Sequence, residues 1–372
     1  MHSVLGICNL HDAPKIGELT THRSLGAVTF LGRYGLMDFT LSNFSNSGID
    51  KVAILVDKNA HSIRSHVGSG QVWINNTKTG FQKIIVNENT AANDKFNTDI
   101  ANIDANREIF EEISADYVIV APAFFAMSFD FRPFIEAHIA SKADATVLYK
   151  NVDNPAINFT NCDEINIDKT RRVTKFNQLV NPKKNADVSL EIFIFNRETF
   201  KKVVDISKNI SRIYHLRKIV EYCVENNLIS LNTFEFKGEV LPILNLNDYV
   251  RHSLSLLQYN NRQKIFLEDW PIYTTSHNTP PTLYGNNANV KNSFIANGSI
   301  VKGKVINSIL SRNVVIEEGA VVENSIIFTN SIVGKKIKVK NIVADKAAKL
   351  IEAKKIEGSE DNYLFIAKGA KI

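Results

Sequence analysis

No run of apolar residues in this sequence approaches the roughly 20 that a membrane-crossing helix needs, and its 372 residues include only 9 Pro, 17 Gly and 3 Cys. The first absence excludes a helical membrane protein. The others exclude collagen-like chains, low-complexity chains and disulfide scaffolds, because Cys8, Cys162 and Cys223 stand apart with no CxxC pair. Isolated thiols suit a reducing compartment and buried structural roles. The segment Met1-His2-Ser3-Val4-Leu5 enters an apolar strand without a basic leader or cleavage site, so a cytoplasmic location is expected. Charge of one sign is also scarce. The 44 basic and 39 acidic residues leave +5, and residues 331–372, with ten Lys against five acids, account for a difference equal to that surplus. A nucleic-acid binder carries a larger excess interleaved with aromatics, and this tail offers only Tyr363 and Phe365, so neither nucleic acid nor membrane is expected as a partner. The nine His form no HxH or HExxH pattern, and His61 and His66 lie five apart, about 140° round a helix. No Ser sits in a GxSxG setting. Neither a metal site nor a catalytic triad is expected.

What is present is an alternation of short aliphatic runs with segments of helical period, the pattern of a largely parallel sheet covered by helices. Strands are expected at residues 4–8, 51–56, 83–86, 117–121, 145–149 and 190–195. Ala60, Ile63 and Val67 form one helical stripe, and Phe131, Phe134, Ile135 and Ile139 another, with Pro133 in its first turn. Ile213, Leu216, Val220 and Cys223 form a third, which makes Cys223 a core residue rather than a nucleophile. These features define an α/β domain over residues 1–256. Residues 257–289 turn to Asn, Thr and Pro, with Pro271 and Pro280-Pro281, and read as a linker. Over residues 290–372 an apolar residue recurs every six: Phe294, Ile300 and Ile306, then after a three-residue shift Ile309, Val315, Val321, Ile327, Val333 and Val339. One inward aliphatic per six-residue step is the requirement of a left-handed parallel β-helix, with Gly298, Gly303 and Gly319 at corners. Its open ends favour oligomerisation.

The most specific stretch runs Glu18-Leu19-Thr20-Thr21-His22-Arg23, Gly32-Arg33-Tyr34, Asp38-Phe39-Thr40-Leu41-Ser42-Asn43 and Asn46-Ser47-Gly48-Ile49, joined later by Trp270-Pro271-Ile272-Tyr273-Thr274. With the hexapeptide coil, it resembles the glucose-1-phosphate adenylyltransferases, or ADP-glucose pyrophosphorylases, over the full length. The resemblance implies a nucleotidyltransferase-type (Rossmann-like) domain, a left-handed β-helix and a tetramer.

The sequence departs from that family where the chemistry is done. The family's GGxGxR loop brings backbone N–H groups to the nucleotide phosphates, an approach that only glycine allows. Here it reads Leu10-His11-Asp12-Ala13-Pro14-Lys15, without a glycine and with a carboxylate where phosphate belongs. The lysine of Arg-Ala-Lys-Pro-Ala becomes Leu25 in Arg23-Ser24-Leu25-Gly26-Ala27. The metal-binding aspartate after Tyr117-Val118-Ile119-Val120 becomes Pro122. The sugar-phosphate lysine falls in Phe176-Asn177-Gln178-Leu179-Val180 as Leu179, a nearby glycine becomes Glu191, and Pro242 takes the second metal aspartate's place. Nucleotidyl transfer works by placing cations around developing negative charge, and one lost contact costs about 3 kcal/mol. Arg23 and Arg33 are kept and could face an anion or a subunit interface, whereas Asp38, Ser42 and Asn43 read as structural.

The resemblance and its departures together imply a non-catalytic regulatory subunit of the GlgD type. Such a chain would assemble with a catalytic paralogue as a heterotetramer, bind no cofactor itself and leave Mg2+ to its partner. Clustered Lys335, Lys336, Lys338 and Lys340 are candidates for a small anionic effector. The alternatives are an adenylyltransferase that recruits other cations and a sugar-phosphate sensor. A hexapeptide acyltransferase is disfavoured because residues 290–372 contain no His.

Overall fold

The computed structural model describes residues 2–87, 94–155, 157–179, 185–211 and 213–372. Val180, the end of the segment that carries Leu179, lies outside them. Among the described residues, a nine-stranded sheet sets Val173–Gln178, Asp163–Ile167, Asn185–Asn196, Tyr117–Pro122, Val4–Asn9, Lys51–Val56 and Phe81–Val86 side by side. Ala145–Asp153 pairs with Asn185–Asn196 and carries Leu231–Glu235 on its other edge. The amino-terminal strand is central and parallel to both neighbours, Tyr117–Pro122 and Lys51–Val56. Asn185–Asn196 runs antiparallel to its partners. The six expected strands and the helices Ala60–Val67 and Phe131–Ser141 are all present. The aliphatic runs of the inner strands are buried on both faces, which is why they carry no alternation, whereas the edge strand Phe81–Val86 is mostly half-buried. Cys223 is fully buried, as its stripe required, but the helix begins at Leu216 and Ile213 is exposed outside it.

The carboxyl-terminal region is a left-handed β-helix of three sheets, each of five short parallel strands. Ile300 pairs with Val315 and Val315 with Ile332, so successive coils advance by 15 and then 17 residues rather than 18. That difference shifts the phase of the repeat. Ile327, Val333 and Val339 fill the coil axis as expected, Ile309 is buried against the α/β domain, and Phe294 packs half-buried on the same core. Ile300, Ile306, Val315 and Val321 instead lie half-buried outside the axial core, and their neighbours Val301, Val305, Ile316 and Val322 occupy it. The corners are made mainly by asparagine. Asn292, Asn307, Asn324 and Asn341 all adopt left-handed backbone, and Asn292 donates to the side chain of Asn307 at 2.8 Å. Gly298 and Gly319 also have positive φ.

The segment read as a linker contains the helix Tyr259–Ile265 and supplies the first coil strand, Leu283–Tyr284. Between these it is held by the polar residues of helix Met37–Asn46. Ser42 Oγ accepts from Tyr273 N at 2.8 Å, Asn43 Oδ1 accepts from Trp270 Nε1 at 2.8 Å, and Asn46 Nδ2 donates to Pro271 O at 2.9 Å. Asp38 accepts from Gly35 N and pairs with His66 at 2.6 Å. These groups fasten the chain to itself, as expected for Asp38, Ser42 and Asn43. The α/β core continues through Ile326, Phe328 and Val343 into the solenoid wall, so the two domains share buried surface.

Candidate functional site

The sheet's carboxyl edge, where ligands bind in parallel α/β folds, carries two adjoining chambers. The outer one, about 640 Å³, is lined by Leu10, Asp12, Ala13, Pro14, Lys15, Arg23 and Leu25, together with Lys58, Lys95 and His215. The inner one holds only about 20 Å³ and is lined by His11, Asp12, Pro122, Glu191, His215 and Arg217. That is room for about one water and far too little for a sugar phosphate. Most of the degenerate positions therefore meet at one place. Leu179 is buried in the core and Pro242 sits in a buried two-strand ribbon opposite Phe125; neither lines a chamber.

The inner chamber is filled by the chain's own charges. The Arg217 guanidinium, at the start of helix Leu216–Glu225, lies 2.6 Å from Asp12 Oδ2, 3.0 Å from Asp163 Oδ2 and 3.5 Å from Glu191 Oε1. His215 stands 3.5 Å from Asp99 and 4.0 Å from Asp12. Glu191 reaches this point because Asn185–Asn196 bulges between Ser189 and Ile192, and Glu191 itself has positive φ at 54°. A side chain there costs about 1–2 kcal/mol of backbone strain, which its proximity to Arg217 offsets. Asp12 is left-handed as well, with φ of 52°. Sequence reasoning missed Arg217, His215, Asp99 and Asp163, which come from separate segments and form no motif.

Burial, opposed by Arg217 and reinforced by Asp12, Asp163 and Asp99, pushes the Glu191 carboxyl up to about 7. Burial also works against the charges of Asp99 and His215, but their proximity reverses the outcome: Asp99 falls below the usual carboxylate range and His215 rises above the usual imidazole range. Pro122 supplies a carbonyl to Thr40 Oγ1 at 2.8 Å and no carboxylate. Because Asp12, Asp163 and Glu191 are turned on Arg217 and Asp99 on His215, and Pro122 offers no carboxylate, the residues present do not fit a magnesium ion.

Leu25, 2% exposed, packs in the hydrophobic core behind the outer chamber. Arg23 does not point a free charge into it: its two terminal nitrogens each lie 2.8 Å from the carboxylate of Asp345 in the solenoid, with side chains 6% and 4% exposed. Arg33 lies over Tyr34 and lines a third cavity, of about 490 Å³, between the two domains. Arg312, Lys346, Lys368, His66 and His277 line it too, and it has no acidic residue. Burial and the neighbouring cations lower the pKa values of Arg312, Lys346 and His277, Asp345 partly opposing this for Lys346. Lys335, Lys336, Lys338 and Lys340 are elsewhere, the first three exposed and the fourth half-buried on the coil, and none lines this cavity. His61 and His66 both line it but bind no common partner, and among the described residues no cluster has the makings of a metal site.

The family profile described as nucleotidyl transferase matches residues 14–239, more than half of the chain. The chain belongs to the nucleotidyl transferase family. In this family member the solenoid, over residues 281–364, also matches the profile of the GlmU-like C-terminal hexapeptide. Among curated proteins, glucose-1-phosphate adenylyltransferase of Lachnospira eligens is 28% identical over 82% of this chain and 71% of its own length. Glucose-1-phosphate adenylyltransferase of Clostridium acetobutylicum is 29% identical over 81% and 80%. The glycogen biosynthesis protein GlgD of Bacillus subtilis is 27% identical over 95% of this chain and 92% of its own. Among the described residues, no helix is long and apolar enough to cross a membrane.

Proposed function

We propose that this nucleotidyl transferase homologue is a regulatory, catalytically degenerate subunit of glucose-1-phosphate adenylyltransferase, working in glycogen biosynthesis in the cytoplasm. A catalytic relative would make ADP-glucose from ATP and glucose 1-phosphate with magnesium, and this chain would bias that partner between states of different activity by contacting them unequally. The observation that carries the reading is the inner chamber, where Arg217 and its carboxylates take up the space and the charge that substrate and metal would need. Similarity to GlgD over nearly the whole chain supports it. The interdomain cavity supports an anionic effector, since the half-buried Arg312 and Lys346 and the more exposed Arg33 and Lys368 repel each other until an anion joins them. The coil lysines 335, 336, 338 and 340 are the second candidate for that effector.

One experiment addresses both the partner and the effector. Co-expressed with a catalytic adenylyltransferase from the same genome, the chain is expected to co-elute as mixed tetramers and to change the partner's maximal rate or its response to phosphorylated effectors. The pair Arg312→Ala and Lys346→Ala is expected to weaken that response about tenfold or more, about 1.4 kcal/mol, while Lys338→Ala with Lys340→Ala leaves it in place. A partner that elutes alone with unaltered kinetics removes the proposal.

A further inference from the structure

The two chambers at the sheet edge share two walls, Asp12 and His215, and both belong to the ion cluster. Arg217 joins three separate elements there: the loop after the first strand through Asp12, the strand Asp163–Ile167 through Asp163, and the bulge at Glu191. We propose that Arg217 is a latch, which ties the Leu10–Lys15 loop to helix Leu216–Glu225, walls off the inner chamber, and releases the loop as the medium turns alkaline.

The charge count explains the direction. The groups facing Glu191 are Arg217 from the helix, Asp12 from the loop, Asp163 from its strand and Asp99 from helix Asp99–Ala105, with His215 and Lys218 beside them and His11 behind. With Glu191 neutral and His215 protonated, four carboxylates, Glu221 on Lys218 among them, face three cations. Raising the pH removes the His215 proton and ionises Glu191, which leaves five carboxylates facing Arg217 and Lys218. His11 is buried between Asn97 and Asn102, and burial holds its pKa down, so it adds no charge in this range. The sign is the same for both titrating groups. A carboxyl raised to about 7 in the folded state makes folding progressively less favourable from its unfolded value near 4.5 up to that point. An imidazole raised in the folded state contributes stability below its unfolded value, and this is lost as pH climbs through the folded one. Asp12 is partly exposed, so the outermost contact of the cluster, Arg217 to Asp12, lets go first.

Hydrogen exchange read by mass spectrometry on the full chain tests the latch. The reporters are the amides of Leu10 and His11, which donate to Leu55 O and Asn9 Oδ1. After correction for intrinsic exchange, their protection is expected to fall about tenfold between about pH 6 and about pH 8. Glu191→Gln should flatten that pH dependence, and Asp12→Asn should leave the loop poorly protected at both values while the central strands stay protected. Arg217→Ala should do the same, and if that chain does not fold, Asp12→Asn carries the test. Equal protection at both pH values in the wild type, or an undiminished fall in Glu191→Gln, would overturn the proposal.

Discussion

Arg23→Ala is expected to destabilise the folded chain by about 3–5 kcal/mol, among the largest effects of any single substitution. The reason is the solitary charge left behind. Asp345 is 4% exposed, and without the guanidinium its carboxylate keeps the amide of Lys346 at 2.7 Å and the more distant Lys346 ammonium. Arg23→Met with Asp345→Leu should recover most of the loss, because two apolar groups of similar volume leave no unpaired charge. Urea unfolding of Arg23→Met, Asp345→Leu and the double variant provides the cycle. A single substitution that costs less than about 1 kcal/mol would show that the pair is not buried as described.

Restoring the family lysine by Leu25→Lys is expected to cost about 3 kcal/mol and to restore no activity. The side chain at this position faces hydrocarbon, not phosphate, and an ammonium there must either be desolvated or abandon the packing on its way to the outer chamber. Thermal denaturation would show the loss as a lower melting temperature. An unchanged melting temperature would mean that the position is already wet, and that the chamber has kept more of its ancestral character than Leu25 suggests.

The regular elements were legible because their signals are local. Lys51–Val56 reads as a buried strand from six residues of sequence, and Phe131–Ser141 as a helix from its stripe and Pro133. The solenoid was legible from its period, but not its phase. Each coil strand has only two or three residues, and where Ile300-Val301 or Val321-Val322 stand together, hydropathy cannot say which one points inward. The asparagine corners carried a usable signal in their repeated Asn-Ser pairs at 292, 307 and 324, which share the left-handed backbone.

The candidate site divides in the same way. The departures that the resemblance implies, at Leu10–Lys15, Leu25, Pro122 and Pro242, could be read residue by residue. What fills the cleft instead could not. Arg217 meets Asp12, Asp163 and Glu191 across 205, 54 and 26 residues of chain, and Arg23 meets Asp345 across 322, so only the fold brings them together. Glu191 was marked as a lost glycine, yet its carboxyl became part of the cluster that fills the cleft.

The central claim, that this chain does not transfer a nucleotidyl group itself, is tested most directly by incubating the purified chain alone with ATP, glucose 1-phosphate and magnesium and measuring pyrophosphate. Release is expected to be indistinguishable from the protein-free control, at least about a thousandfold below a catalytic relative. Magnesium-dependent release that requires glucose 1-phosphate and persists through repurification would contradict it.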